Sequence, residues 1–531
     1  MPTKKIKTDF EYKGIKRIEI PKIDADFYAE DFGASIIKKY LPFILKENLS
    51  NAKKIDYLYN YYLGEQDILS KKRLYNKDAD NNNITVENHA LRLVDFNTGI
   101  ITSEQREYTH KVDTDSDDLK YLDRYFTDIN FYDKDIDLKT WVFATGIGIT
   151  YSSPRTDIIV SDGIDKMTGI ERTRYMTESE GFDIKTQAPF EFEVIDPREN
   201  FVVYSSGFDK KPLFCVSIVD RDVSKAEDKN PIIHKEIHIE TRYASFVIES
   251  DTAYKVFYPN SIEDLRLDKK KVLNYLPLIE YSINNARLGV IEKTRDVLNH
   301  INVLKSSMAD MIVDNANAIL VFKNTDIDSN DVQDMKKAGA IIINDNNNGR
   351  STAGADLDTI TVEIPFSGLT SYYEGLLSSA YDIAGVPLAS GQVSSGGSNN
   401  EAVKLGGGWQ NAYIVAKSNI IKFVGKDYEQ LSLFLKFCKE IPNCPIDNLA
   451  ISQIAIKYRI NQSDNFLNKA QGILNLYNCN MPYDMILQAS ELFSDVTSGS
   501  KKWKGNDELV KSQQKTTEVI ETKKEGNNSQ E

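Results

Sequence analysis

Two stretches of this 531-residue chain repeat apolar side chains at four-three-four-three spacing. In residues 290–315 they are Val297, Ile301, Leu304, Met308 and Met311; in residues 366–384 they are Leu369, Tyr373, Leu376, Ala380 and Ile383. That spacing lines each set along one side of an α-helix, so both stretches read as helices that pack lengthwise on other helices. Polar Arg295, Asn299, Asn302, Lys305, Ser306 and Asp310 cover the rest of the first, and Gly385 and Pro387 stop the second. The fifty or so residues between them (AILVFKN, SNDVQDMKKAG, AIIIND, TITVEIP) read as strand, helix, strand and strand, with Asp345–Asp356 as a connecting loop. After the second helix, residues 386–400 carry no charge and are rich in Gly and Ser. A third apolar stripe (Trp409, Tyr413, Ala416, Ile420, Phe423, Val424, Tyr428, Leu431, Leu435) predicts one long helix to Lys439. The fold class expected is α+β.

The flanks fill in the rest. Residues 1–33 are charged and weakly patterned, an arm or extended segment. SIIKKYLPFILKENL and NAKKIDYLYNYYLGEQDIL are helical, with an aromatic face of Tyr57, Leu58, Tyr61 and Tyr62 and a stop at Gly64. ENHALRLVDFNTGIIT predicts a helix closing at Gly99, and residues 133–144 another, ending at TGIGITYSS. Residues 155–282 are β-rich, with period-two alternation clearest in HKEIHIETRY. LPLIEYSINN is a short strand leading into the first seamed helix, and ISQIAIKYRI a strand after the long one. Two helical pieces follow, and from Ser498 the chain turns polar, a disordered or weakly helical tail.

Composition and motifs exclude much chemistry. Four cysteines without a CxxC pair and five histidines make a structural zinc site or a disulfide framework a poor reading. Asp113, Asp115, Asp117 and Asp118 fail as a calcium loop, because Asp118 stands where glycine is needed and Arg124 where a bidentate glutamate is needed. Asp117 and Asp118 instead suit the positive end of a helix. His234 and His238 share one strand face with no third ligand nearby. There is no GxxxxGK[ST] phosphate loop, GxSxG elbow, HExxH or DFG, so no enzyme and no cofactor is expected. No window has the apolar length to span a bilayer, and MPTKKIKTDFEYKG lacks a signal-peptide core. A net charge of −14 argues against a broad, tight grip on DNA.

The order of these parts resembles the portal (head-to-tail connector) proteins of tailed bacteriophages, in the branch typified by the SPP1 portal. The resemblance is carried by YLYNYYLGEQDIL, ENHALRLVDFNTGIITSE, WVFATGIGITYSS, EVIDPRENFVVYSS, the run LPLIEYSINNARLGVIEKTRDVLNHINVLKSSMADMIVDNANAILVFKN, and LLSSAYDIAGVPLASGQ. It spans residues 57–493. It implies a homo-oligomeric ring, usually a dodecamer, at one capsid vertex of the virion, with double-stranded DNA passing through an axial tunnel during packaging and ejection. The terminase large subunit, head-completion and connector proteins, and the major capsid and scaffolding proteins are the implied partners, with synthesis in the host cytoplasm.

Mapped onto this chain, the resemblance implies an arm at 1–33, a wing at 34–289, a first stem helix at 290–315, a clip at 316–364, a second stem helix at 365–385, a tunnel loop at 386–405, the rest of the wing at 406–461, a crown at 462–497 and a tail at 498–531. Val297, Ile301, Leu304, Met308, Met311, Leu369, Tyr373 and Leu376 would form the stem seam. Ser390, Gln392, Ser394, Ser395, Ser398, Asn399 and Asn400 would contact DNA, and Asn330, Gln333, Lys336 and Lys337 would dock clip partners. One departure stands out: Gly406, Gly407 and Gly408 occupy the usual start of the long helix, costing roughly 2–3 kcal/mol of helix propensity relative to alanine. Two other classes stay open, another capsid-associated structural protein and a nuclease built on scattered carboxylates.

Overall fold

The computed structural model describes residues 14–21, 31–70, 83–111, 117–164, 171–222, 233–250, 265–271, 274–316, 319–323, 356–360, 366–388, 409–460, 466–490, 499–504 and 506. Within them the fold is α+β, as expected. Helix α1 (Ala34–Leu63) is continuous through Pro42, where two helical pieces were read. Gly64 caps it with φ 106°, a left-handed conformation that glycine adopts without strain.

The N-terminal half of α1 and its C-terminal half serve different cores. Ile37, Leu41, Ile44 and Leu45 pack on a six-stranded sheet. Its strands, in spatial order, are β1 (Glu19–Ile20), β7 (Asn200–Ser205), β8 (Pro212–Asp222), β9 (Ile233–Glu240), β10 (Ala244–Ser250) and β11 (Arg266–Lys270). Part of the expected N-terminal arm is therefore structural: β1 pairs parallel with β7, and Ile15, Ile18 and Ile20 are buried. The far half of α1 serves a larger core, in which Leu58 and Tyr61 cluster with residues of α2 (His89–Thr102), α3 (Asp118–Asp128) and α4 (Phe131–Thr145). Helix α2 runs through Gly99 rather than closing there; a methyl group at Gly99 would meet nothing within 4 Å, so no packing demand ends the helix at that point. Asp117 precedes α3 as expected, while Asp113 and Asp115 lie outside the described residues.

A three-stranded sheet, β12 (Leu278–Tyr281), β3 (Gly148–Pro154) and β6 (Phe190–Ile195), lies against the long helix α7 (Trp409–Lys439). Phe434 of α7 stacks on Phe190 at 4.2 Å between ring centres, with Phe126, Phe131 and Phe192 around it. Small ribbons complete the fold: β4 (Ile159–Ile164) with β5 (Glu171–Tyr175), and β2 (Glu107–His110) with β15 (Ile454–Lys457). Helices α8 (Phe466–Asn478) and α9 (Tyr483–Ser490) follow. The segment read as a tail begins with a helical turn at 499–504, and Trp503 stacks on Tyr477 at 5.6 Å. Cys215, Cys438 and Cys444 are buried free thiols; Cys479 is exposed.

Glycines fix one junction across some 270 residues of sequence. Gly14 and Gly146 have φ of +85° and +97°, and a Cβ on either would lie 1.7 Å from Ala286 O or 2.1 Å from Arg287 O. Gly289 closes the same knot, with a Cβ position 2.7 Å from Ala144 O. The turn ahead of the first seamed helix is thus clamped between the N-terminal strand and the end of α4. A buried ion pair secures it: Lys54 lies 2.8 Å from Glu292, whose Oε1 also accepts from the Gly14 amide at 2.8 Å.

A second buried charge group ties the long helix to α4 and to the segments flanking β2 and β15. Arg106 lies 2.8 Å from Asp135 and 2.6 Å from Asp427, Lys139 lies 2.7 Å from Asp135, and Tyr458 donates to Asp427 at 2.7 Å. Burial alone would lower the Arg106 pKa, but Asp135 and then Asp427 hold it well above its ordinary value. Burial would raise the Asp135 pKa, but Arg106 and Lys139 hold it below the ordinary carboxylate range.

Candidate functional site

The first seamed segment forms α5 (Val290–Ala316) and the second α6 (Phe366–Ala384). They pack against each other, and a two-stranded antiparallel ribbon joins their far ends. In it β13 (Ile319–Lys323) pairs with β14 (Asp356–Ile360). The strand before α6 includes Thr359 and Ile360, the first two residues of TITVEIP; the other five lie outside the described residues. The helix and strand read in SNDVQDMKKAG and AIIIND fall outside the described residues. Helix α6 ends where predicted, with Gly385 at φ 68°.

The expected seam is only part of what holds α5. Ile301 is buried, Val297, Leu304 and Met308 are half-buried, and Met311 is 43% exposed. On α6, Leu369, Tyr373 and Leu376 are half-buried and Ala380 is buried, but Ile383 is 49% exposed, with Tyr381 and Ala384 turned inward instead. The polar residues expected to cover the outside of α5 include two that are fully buried, Asn302 and Ser306. They hold an extended strap, residues 83–88, along the helix. The Glu87 amide donates to Asn302 Oδ1 at 2.9 Å, the Thr85 amide to Ser306 Oγ at 2.9 Å, and the Asn83 amide to Asp310 Oδ1 at 3.0 Å. One turn earlier, Asn299 accepts from Tyr61 at 3.1 Å and donates to Asp67 at 2.8 Å.

The arrangement follows from backbone accounting. An extended segment carries one free N–H and one free C=O per residue, and buried ones need partners. Here α5 side chains one helical turn apart replace a neighbouring strand. Asn302 to Ser306 to Asp310 is an i, i+4, i+8 row, so all three lie on one face. Sequence periodicity reveals that row, but spacing alone does not show that it faces residues 83–88 instead of solvent.

A charged node locks the strap to both helices. Glu87 accepts from Tyr373 at 2.8 Å, pairs with Lys305 at 3.1 Å and meets His89 Nε2 at 3.1 Å. Lys305 Nζ sits 3.9 Å above the Tyr373 ring, and His89 Nδ1 lies 3.2 Å from the Tyr381 hydroxyl. Partial burial would raise the Glu87 pKa, but Tyr373, Lys305 and His89 hold it below the ordinary range. Burial, then the bond to Glu87, pushes the Tyr373 hydroxyl up. Tyr373, expected as an apolar seam residue, thus serves a polar contact as well.

The remaining expected site residues cannot be placed. Ser390, Gln392, Ser394, Ser395, Ser398, Asn399 and Asn400, the clip residues Asn330, Gln333, Lys336 and Lys337, and Gly406–Gly408 lie outside the described residues. Among the described residues no group of His, Cys, Asp and Glu is placed to hold a metal, and no helix is long and apolar enough to cross a membrane.

The helical hairpin, its bridging ribbon and the strap all lie within a stretch that a known protein family matches. No curated protein matches the chain. The profile described as phage portal protein, SPP1 Gp6-like, matches residues 41–405, from α1 through both seamed helices and beyond. The chain belongs to the SPP1 Gp6-like family of phage portal proteins.

Proposed function

We propose that this chain is the subunit of a portal ring, a dodecamer in the family's usual form, at a single capsid vertex. It serves there as a non-enzymatic conduit for double-stranded DNA during packaging and ejection. The observation that carries this reading is the paired helices α5 and α6, bridged by a ribbon and held to the wing by the strap, inside the matched region. Repeated around an axis, such a hairpin makes a helical barrel, and rings of identical subunits form from head-to-tail contacts. In this reading α5 and α6 are the stem, residues 316–364 the clip that docks the terminase and later the head-completion proteins, residues 386–405 the tunnel loop, and residues 462–497 the crown. The net charge of −14 suits a passage that DNA slides through, because persistent phosphate contacts would need clustered lysine and arginine. Uncharged Ser390, Gln392, Ser394, Ser395, Ser398, Asn399 and Asn400 would supply weak, sequence-neutral contact.

Deleting Ser390–Asn399 tests the tunnel assignment. The expected result is normal ring assembly with reduced DNA packaging or retention in a phage complementation assay. Loss of assembly in that deletion would remove this loop from the tunnel.

A further inference from the structure

The outer face of α1 carries Lys39, Phe43, Lys46 and Lys53 at four-three-seven spacing, all exposed, opposite the buried Leu41, Ile44 and Leu45. Phe43 is 48% exposed. Among the described residues no carboxylate pairs with these three lysines, although Lys16 nearby pairs with Glu47 at 2.5 Å. A basic stripe with an aromatic knob is unusual in so acidic a chain.

Its counterpart is on the same molecule. At the corner of α3 and α4 a cavity of about 430 Å³ has Glu104, Asp123 and Asp133 on its rim. Its apolar wall includes Ile136, which is 42% exposed beside Asp133 and Asp137. Arg106 lines it from below, 5% exposed, with its Nε lacking a hydrogen-bond partner. Asp137, one turn on from Asp133, is held above its ordinary pKa by partial burial and then by the Asp133 charge.

The two faces cannot meet within one copy. Tyr59 stacks on Trp141 at 4.2 Å, and about 24 Å of helix separates Phe43 from Tyr59 at 1.5 Å per residue. Helix α4 runs antiparallel to α1: Ile55 clusters with Trp141, and Tyr62 feels the charge of Asp137. Asp133 therefore lies beyond the end of α1 farther from Phe43.

We propose that these faces meet between copies, with Phe43 seated in the acidic cavity of the next subunit and Lys39 and Lys46 against Asp123 and Asp133. Two different patches on one chain make a heterologous contact, the kind that closes rings. A buried aromatic anchor ringed by charge pairs is the usual make-up of an interface hot spot. This inference rests on the portal reading for the ring itself and adds which surfaces meet.

The test uses the full-length chain, with assembly followed by sedimentation velocity over a concentration series. Two charge reversals, Lys39→Glu with Lys46→Glu, and Asp123→Lys with Asp133→Lys, are each expected to raise the concentration for half-assembly by about tenfold or more, and combining all four to recover most of that loss. Phe43→Ser, which leaves charge unchanged, is expected to weaken assembly comparably. Circular dichroism, measured under dissociating conditions, should stay near wild type for every variant, because each altered side chain is exposed; the thermal midpoint should hold for the lysine and Phe43 variants and fall slightly for the aspartate pair, since Asp123 accepts from Tyr132 at 3.2 Å and Asp133 from Asn130 at 3.1 Å. Wild-type rings that persist unchanged in every variant would overturn this interface while leaving the portal reading intact. A four-fold variant no better than the worse reversal would also overturn it. A wild-type chain that never assembles would sink both.

Discussion

At the residue scale, buried polar side chains fasten the strap to α5 and α7 to α4. Asn302 binds the strap amide of Glu87 and the side chain of Gln66 from a fully buried position. Asn302→Ala leaves the Glu87 amide and Gln66 Oε1 without this partner, so we expect a loss of about 1–3 kcal/mol in chemical denaturation. Asp135 offers a sharper test, because its effect has a sign in pH. Its folded-state pKa lies below the ordinary 3.8, so it contributes stability that is complete above that value and lost as pH falls through the lowered one. Thermal midpoints should drop on acidification below about pH 4. Asp135→Asn should cost about 3–5 kcal/mol at neutral pH, since Arg106 and Lys139 lose a shared partner, and should flatten part of that acid dependence. An acid limb of unchanged depth in the variant would show that other carboxylates carry it.

At the element scale, the glycine knot is the feature most sensitive to a single methyl group. Gly146→Ala would force a side chain into left-handed backbone and against Arg287 O, and both the N-terminal strand and the start of α5 depend on that turn. We expect it to destabilise by more than the ~1 kcal/mol typical of a positive-φ glycine, seen as reduced soluble yield and a lower thermal midpoint, whereas Gly99→Ala in mid-helix should be neutral or stabilising. A Gly146→Ala protein as stable as wild type would remove the knot from the account. The same contrast shows what sequence can reveal. Period and punctuation disclosed α5, α6 and α7 nearly to the residue and α4 to within two, because each carries an apolar stripe, while α1 was legible as two pieces and not as one helix through Pro42. TGIGIT was legible only as a glycine pair, since the carbonyl that forbids a side chain at Gly146 belongs to a residue some 140 positions away. Gly99 misled for the opposite reason: a glycine facing open space looks identical in sequence to one that ends a helix. Asn302 and Ser306 were assigned to solvent because periodicity marks a face but not its surroundings.

At the scale of the whole molecule, α5 and α6 leave apolar side chains uncovered in the isolated chain. Met311, Ile312, Phe366, Tyr372 and Ile383 are exposed, as are Ile414 and Ile421 on α7. A single exposed apolar side chain is ordinary, but a set spread over α5, α6 and α7 fits a chain that packs against neighbours. Ile414→Asp with Ile421→Asp should therefore weaken assembly while leaving the monomer's circular dichroism unchanged. The central claim, that this chain closes into a conduit, is tested most directly by imaging the purified full-length protein by electron microscopy. Closed rings of one subunit number with an open axial channel are expected. A particle that stays monomeric across a wide concentration range, or assembles without a channel, would contradict it.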